Sequence, residues 1–379
     1  MTAAAMIKRG LAAAAACALA TSIAQAKLSL TPPAQQKSEQ KKSAPKHVAP
    51  NKDNAKDSTK AAASAKSGSS KPEAKSATSP SPSSPPLGYS DTPPAPLPPD
   101  NPNIDLAYGA FQRGEYGTAF KIATQRAEQR SDPKAMTLLG ELYSNGEGVN
   151  RDDQKAVIWY KNAADRGDRE AMFALAMMTM SGRGTPLDRE TAAKLLAFSA
   201  KLGNPYAAYN LALLYIEGQV FPQDLKRAAE LLQQAAEAGV PEAQYALATF
   251  YKDGRVGDKN PTEAARWLKA ASQADYLDAE TEYAIALFNG TGVEKNEAAG
   301  VALLQRAARQ GSPIAQNRLA RVLATGIGAP KDLVEALKWH LISKQNGASD
   351  PELDAMLAPM SAESKQKAQA EMVHWFTGK

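Results

Sequence analysis

The side chains that most often carry catalysis are sparse in this sequence of 379 residues, and they are not grouped. The three histidines, His47, His340 and His374, have no second histidine or carboxylate at the spacing of a zinc site. The one cysteine is Cys17. The sequence contains no G-x-S-x-G elbow, no P-loop and no dinucleotide fingerprint. It therefore predicts neither an enzyme nor a bound metal or cofactor.

Paired glycines are the feature that comes nearest to a phosphate-binding loop. The pattern G-x-G begins at Gly146, Gly182, Gly290 and Gly326, always at multiples of 36 residues. Each pair separates two segments with helical periodicity, and glycine just after a helix end adopts the left-handed conformation without steric cost. We therefore expect turns between helices at these places, not phosphate sites.

These glycines belong to a repeat of 36 residues that fills the C-terminal part of the chain. It is marked by six alanines: Ala135, Ala171, Ala207, Ala243, Ala279 and Ala315. Counted from each alanine as position zero, positions four and seven are mostly apolar and position five is always small, so they form the packed face of a first helix. Position eleven is always glycine, and a second helix follows with alanine or glycine at position twenty-one. Such a repeat predicts an array of small units that pack on their neighbours.

The segment TLLGELYSNGEGVNRDDQKAVIWYKNAADRG, residues 137–167, resembles the Sel1-like repeat family, a relative of the tetratricopeptide repeat. The resemblance implies an all-α fold, an α-solenoid in which antiparallel helix pairs form a right-handed superhelix. Six copies are expected over residues 135–350. A shortened, tetratricopeptide-like helix pair is expected at 104–134, and a capping helix, N-capped near Ser361, within 351–379. The third copy lacks the second glycine, so its loop should differ.

Residues 1–26 have the anatomy of a signal peptide, with two basic residues, an apolar stretch at 11–20 and a small-x-small cleavage site at 24–26. A lipoprotein signal at Cys17 is the less favoured alternative, because it would leave a very short apolar core. We therefore expect an exported, periplasmic bacterial protein with no transmembrane segment after cleavage. The mature chain would contain no cysteine and hence no disulfide.

Residues 27–103 are rich in Lys, Ala, Ser and Pro and poor in aromatic residues, which predicts a disordered linker. The linker carries a net charge of +5, and the repeat region after it is left with −2. The linker lysines either contact anionic envelope material or only keep a spacer hydrated. Nucleic acid is not expected as a partner, because the repeat region is mildly acidic.

In tetratricopeptide arrays the first helices line the concave surface, and the analogous exposed positions here are two, six and nine. These positions are apolar or aromatic in the middle copies and polar at both ends of the array. Exposed apolar and aromatic side chains mark interaction sites. The predicted partner-binding residues are Phe173, Met177, Met180, Tyr209, Leu213, Ile216, Tyr245, Ile285 and Phe288. The alternative is that a tight superhelix buries them between adjacent first helices.

A second feature of the repeat region is its charge. Residues 301–350 contain seven basic and three acidic side chains, whereas residues 251–300 contain six basic and nine acidic ones. The excess either orients an acidic partner at the C-terminal end or belongs to an ordinary solvated face.

The resemblance implies a non-catalytic scaffold or regulator that binds proteins in the bacterial envelope. Periplasmic members of the family include regulators of membrane sensor kinases and factors for envelope assembly. The first alternative is a peptidoglycan-binding protein that uses the linker lysines and the concave aromatics. The second is a hydrolase, an activity credited to cysteine-rich relatives, which the lack of cysteines and of a paired nucleophile and base disfavours here.

Overall fold

The computed structural model describes residues 105–378; the structure of residues 1–104 and of residue 379 is not described. The predicted signal peptide, 1–26, and the predicted linker, 27–103, lie outside the described residues. All described residues fall within one compact unit.

Residues 105–378 form sixteen α-helices and no strand, which confirms the predicted all-α solenoid. The helices are α1 (Leu106–Gln112), α2 (Tyr116–Arg130), α3 (Pro133–Asn145), α4 (Asp153–Ala164), α5 (Arg169–Ser181), α6 (Arg189–Lys201), α7 (Pro205–Glu217), α8 (Leu225–Glu237), α9 (Pro241–Asp253), α10 (Pro261–Gln273), α11 (Leu277–Asn289), α12 (Glu297–Arg309), α13 (Pro313–Thr325), α14 (Leu333–Gln345), α15 (Pro351–Leu357) and α16 (Ala362–Thr377). From α3 to α14, odd numbers are the first helices of the repeats and even numbers the second. From α1 to α15, consecutive helices pack on each other.

The helix boundaries follow from two columns of the repeat. Each first helix ends at the glycine of position eleven, whose φ lies between 70° and 78° in all six copies, so these glycines are helix-ending turns as predicted. Each second helix begins after an aspartate or asparagine at position seventeen, whose side chain accepts a backbone N–H of the first turn. These N-cap residues are Asp152, Asp188, Asp224, Asn260, Asn296 and Asp332.

The second glycine of the G-x-G loop brings neighbouring copies into close contact. A Cβ on Gly184 would lie 2.2 Å from the carbonyl oxygen of Asp153, and one on Gly292 would lie 2.0 Å from that of Pro261. Both glycines also have positive φ, 66° and 70°. Glycine is therefore required at this position for two reasons: its φ is positive, and the loop backbone lies directly against the start of the second helix of the preceding copy.

The third copy carries Val220 in place of the second glycine, and its loop packs differently. There Phe221 stacks on Tyr215 with ring centroids 5.1 Å apart. Val220 and Phe221 both pack against the central hydrophobic core, so side-chain contact replaces close backbone contact.

The core of the array runs between the helices of successive pairs. All six repeat-marking alanines are buried, with at most 2% of their surface exposed. Leucines of both helices, such as Leu139, Leu196, Leu232 and Leu304, are fully buried beside them. Small and large side chains thus alternate across the interface, which allows the helices to approach closely.

The predicted capping segment, 351–379, contains two helices where a single one was expected. Asp350 caps the short helix α15 by accepting the N–H of Leu353, and Ser361 then starts α16 by accepting the N–H of Ser364. Helix α16 packs on α14, where Trp375 contacts Trp339 edge to face at a centroid distance of 5.1 Å.

We predict that Gly292→Ala destabilises the protein by about 2–4 kcal/mol, because a Cβ adds a backbone clash to an unfavourable φ. Gly311→Ala is the matched control, since Gly311 has a φ of 94° but nothing within 4 Å of its missing Cβ. It should cost about 1 kcal/mol. Urea unfolding followed by circular dichroism measures both, and equal losses would contradict the close-packing role.

Candidate protein-binding surface

The residues at position two of the first helices were predicted to be exposed to a partner. The structure shows that they contact the start of the next helix pair. The Thr137 hydroxyl lies 3.0 Å from the carboxylate of Asp168, the N-cap residue of α5. In the last copy the Asn317 amide donates to Asp350, the N-cap residue of α15, at 2.9 Å. Position two is therefore part of the junction between copies.

Aromatic residues at position two make the same junction through ring contacts. Phe173 packs on Tyr206 of α7 with ring centroids 6.2 Å apart, and Tyr245 packs on Tyr276, the N-cap residue of α11, at 5.2 Å. Burial and the nearby carboxylate of Asp278 raise the pKa of Tyr276 to about 12, so its hydroxyl stays protonated even in moderately alkaline solution.

Glu282 of the fifth copy binds two side chains of the fourth copy, Tyr245 at position two and Lys252 at position nine. The Tyr245 hydroxyl donates to one carboxylate oxygen of Glu282 at 2.8 Å, and Lys252 donates to the other at 2.6 Å. Burial, together with the charge and hydrogen bond of Glu282, raises the pKa of the Tyr245 hydroxyl. The middle of the first-helix face is thus occupied by contacts within the protein.

The predicted partner-binding residues differ in their exposure to solvent, and Leu213 is less exposed than the sequence analysis predicted. Leu213 is 4% exposed, so the expectation that it faces solvent is wrong. Position six stands 100° from the packed positions five and seven on the helix, so it borders the packed face and is covered easily. The other eight are half-buried: Phe173, Met177, Met180, Tyr209, Ile216, Tyr245, Ile285 and Phe288. Whether any of these residues binds a partner stays a prediction.

Two of these residues line an open cavity of about 270 Å³ between the first helices α11 and α13. We call this cavity the C-terminal groove. Its lining is Ile285, Phe288, Asn289, Leu304, Arg318, Arg321, Val322, Thr325 and Ile327. Ile327 is 54% exposed at its edge, and Leu304 of α12 is buried beneath it. The groove combines an apolar lining with two arginines, a mixture typical of protein-binding surfaces.

One of the two arginines of the C-terminal groove is held in place by carboxylates. Arg321 donates two hydrogen bonds to Asp350, of 2.6 and 2.7 Å, and two of 3.0 Å to Glu352. Burial of Asp350 opposes its ionisation, but the hydrogen bonds from Arg321, Asn317 and the Leu353 N–H outweigh that effect and lower its pKa to about 2. Arg321 is thereby fixed beside the groove by a buried partner.

A second cavity, of about 570 Å³, lies between the second helices α4 and α6, on the side of the array where no site was predicted. Val157, Leu195 and Phe198 line its sides, and Met172 and Leu175 of α5 also line it. Phe198 is 60% exposed. The sequence did contain a signal for this site: Phe198 is the only aromatic residue at position twenty-seven of the repeat. The other copies have Asn162, Gln234, Ala270, Arg306 and Ile342 at that position.

The described part of the chain contains no group of three or more His, Cys, Asp or Glu side chains that could hold a metal ion. His340 is buried and its Nε2 lies 2.8 Å from Asp354 in the C-terminal cap. None of the helices over residues 105–378 is both long and apolar enough to cross a membrane.

The Sel1 repeat family matches six consecutive segments of the chain, at residues 133–168, 169–204, 205–240, 241–276, 277–312 and 313–347. The chain belongs to the Sel1 repeat family. Sel1 repeat proteins are generally non-catalytic scaffolds, and the repeat fold is typical of protein–protein interaction.

One solved structure supports this assignment. A Sel1 repeat protein from Oxalobacter formigenes is 26% identical, with a TM-score of 0.56 over 63% of this chain and 98% of that chain. A protective antigen from uropathogenic Escherichia coli strains, which displays an SLR fold, is 24% identical with a TM-score of 0.47 over 69% of this chain and 64% of that one. A comparison with curated proteins found no match.

We predict that Asp350→Asn lowers the free energy of unfolding by about 2 kcal/mol at neutral pH, because it removes a buried carboxylate that is held ionised. Since the pKa of Asp350 is depressed to about 2, its contribution is complete above its unfolded pKa of about 4 and is lost as the pH falls towards 2. The difference between wild type and variant should therefore shrink at about pH 3, as measured by urea unfolding.

Glu352→Gln serves as the matched control for Asp350→Asn, because the Glu352 side chain is 80% exposed yet touches the same arginine. It should change stability by less than about 0.5 kcal/mol. A constant difference between wild type and Asp350→Asn at every pH would contradict the assigned ionisation.

Proposed function

We propose that this chain is a non-catalytic scaffold or regulator that binds a protein partner on the first-helix face in the bacterial periplasm. The observation that carries the proposal is the C-terminal groove, where the row of half-buried apolar side chains opens into a cavity. The Sel1 repeat fold supports binding as the activity. A sensor kinase or an envelope-assembly factor are the partner classes that the family resemblance suggests.

The proposal places the binding site towards the C-terminal end of the first-helix face. In the middle copies Tyr245 and Lys252 are engaged by Glu282, and Leu213 is buried. Towards the end, Thr325 and Ile327 are exposed beside the groove. A partner can reach the apolar lining there without breaking contacts between copies, so binding at that end requires the least rearrangement of the solenoid.

The periplasmic part of the proposal rests on the signal-like segment 1–26 and the polar linker that follows it. We expect the mature protein to start at Lys27, to be released with the periplasmic fraction, and to show this N-terminus by mass spectrometry of the intact chain. An N-terminus at Cys17 with an added lipid would instead support the lipoprotein alternative, and an uncleaved chain in the cytoplasm would overturn the location.

In-cell photo-crosslinking tests the binding face. A photo-reactive residue is placed at Thr325 beside the C-terminal groove, at Tyr209 and Tyr245 in the middle of the face, and at Lys226 on the second helix α8 as the control. We expect a discrete protein adduct from Thr325 and none from Lys226, which is exposed on the opposite element of the pair. Equal labelling from all four positions would contradict a defined binding face.

The peptidoglycan alternative predicts a different outcome for the same protein. If the wall polymer is the ligand, the mature chain should sediment with purified sacculi and Thr325 should trap no protein. A chain without the linker residues 27–103 would then lose sacculus binding, because the lysines supply the contact.

A further inference from the structure

The C-terminal groove contains a cation without a partner. Arg318 lies on α13, lines the groove and is exposed, and it makes no ion pair or hydrogen bond with another residue of 105–378. Its neighbour Arg321 differs, because Asp350 and Glu352 both bind it. One positive charge at the groove is therefore available for a ligand, while the other is neutralised by the protein itself.

The basic residues between 301 and 350 differ in whether a carboxylate pairs with them. Four of the seven basic side chains between 301 and 350 have carboxylate partners: Arg306 with Glu280, Arg321 with Asp350, Lys338 with Glu335, and Lys344 with Asp354. Arg318 is one of the remaining three, with Arg309 and Lys331, and the other two do not line the groove. Arg318 is therefore the one basic residue of this segment that both lines the groove and has no carboxylate partner among residues 105–378.

The size and lining of the groove limit what can occupy it. Its volume of about 270 Å³ lies just below the range of about 300–1,000 Å³ that is usual for small-molecule and cofactor sites. The apolar lining of Ile285, Phe288 and Ile327 suits one bulky apolar side chain, and Ile327 is exposed at the edge of the groove. Such a site fits a side chain of a peptide better than a buried cofactor.

We propose that the C-terminal groove binds an acidic peptide segment, with one bulky apolar side chain entering between α11 and α13 beside Ile285 and Phe288, and a neighbouring carboxylate pairing with Arg318. This inference rests on the proposed function and specifies the partner's chemistry. The planar guanidinium can donate two parallel hydrogen bonds to a carboxylate, and the apolar wall beside it reduces competition from water. Neither element suffices alone, since an exposed ion pair by itself contributes little.

Peptide binding to the full-length protein tests the inference directly. The probes are three fluorescein-labelled hexapeptide pools: glutamate on both sides of a Leu, Ile, Phe or Met; lysine on both sides of the same residues; and glutamate on both sides of alanine. We expect the first pool to bind, the alanine pool to bind about tenfold more weakly, and the lysine pool not to bind, as measured by fluorescence anisotropy. High salt should weaken binding of the first pool.

Charge reversal at two positions separates the groove from general electrostatics. Arg318→Glu should weaken binding of the glutamate pool at least about tenfold and create binding of the lysine pool. Arg309→Glu makes the same change of net charge at an exposed, unpaired arginine outside the groove, and it should leave both affinities unchanged. Circular dichroism checks that both variants are folded, and the gain of lysine-pool binding cannot come from unfolding.

Three results would overturn the inference: equal binding of the glutamate and lysine pools by the wild type, equal loss in Arg309→Glu and Arg318→Glu, or no binding of any pool. If a discrete adduct still forms from Thr325 in cells, the proposed function stands and the acidic-peptide specificity is wrong. If no adduct forms there either, the binding face itself is wrong.

Discussion

The contact between one helix pair and the beginning of the next is the interaction on which the solenoid depends. A pair of 36 residues cannot bury its own apolar face, so each copy needs the next one to complete its core. The junction must also satisfy the backbone groups at the helix ends that it buries. Side chains do this at two junctions, where Gln244 and Gln316 donate to carbonyls at the ends of α8 and α12.

This requirement decides which residues of the first-helix face remain available. Position two faces the next copy, where Thr137 reaches Asp168 and Tyr245 lies against Tyr276. The side chains at position two therefore hold neighbouring copies together. A partner can contact only the part of each side chain that stays exposed. Gaps between neighbouring helices offer more room. The C-terminal groove is such a gap, and so is the cavity beside Phe198 between α4 and α6.

Much of the fold was predictable because the repeat presents the same physical signal six times. The glycine at position eleven and the alanine at position zero each have one structural cause, a left-handed helix end and a close helix contact. The aspartate or asparagine at position seventeen is an equally clear N-cap signal, because its side chain accepts a backbone N–H at the start of every second helix. The short helix α15 was missed because it has only seven residues, too few to show a periodic pattern.

The sequence by itself determined the Sel1 repeat family, the number of copies and the helix pattern within each, because periodicity and capping are local properties of the chain. Tertiary structure alone decided which of the apolar first-helix positions face a neighbouring copy. It buried Leu213, left Ile285 and Phe288 beside a cavity, and gave Arg321 two carboxylate partners while Arg318 received none. The physical reason is that these outcomes depend on the spacing between successive helix pairs, which no single repeat contains.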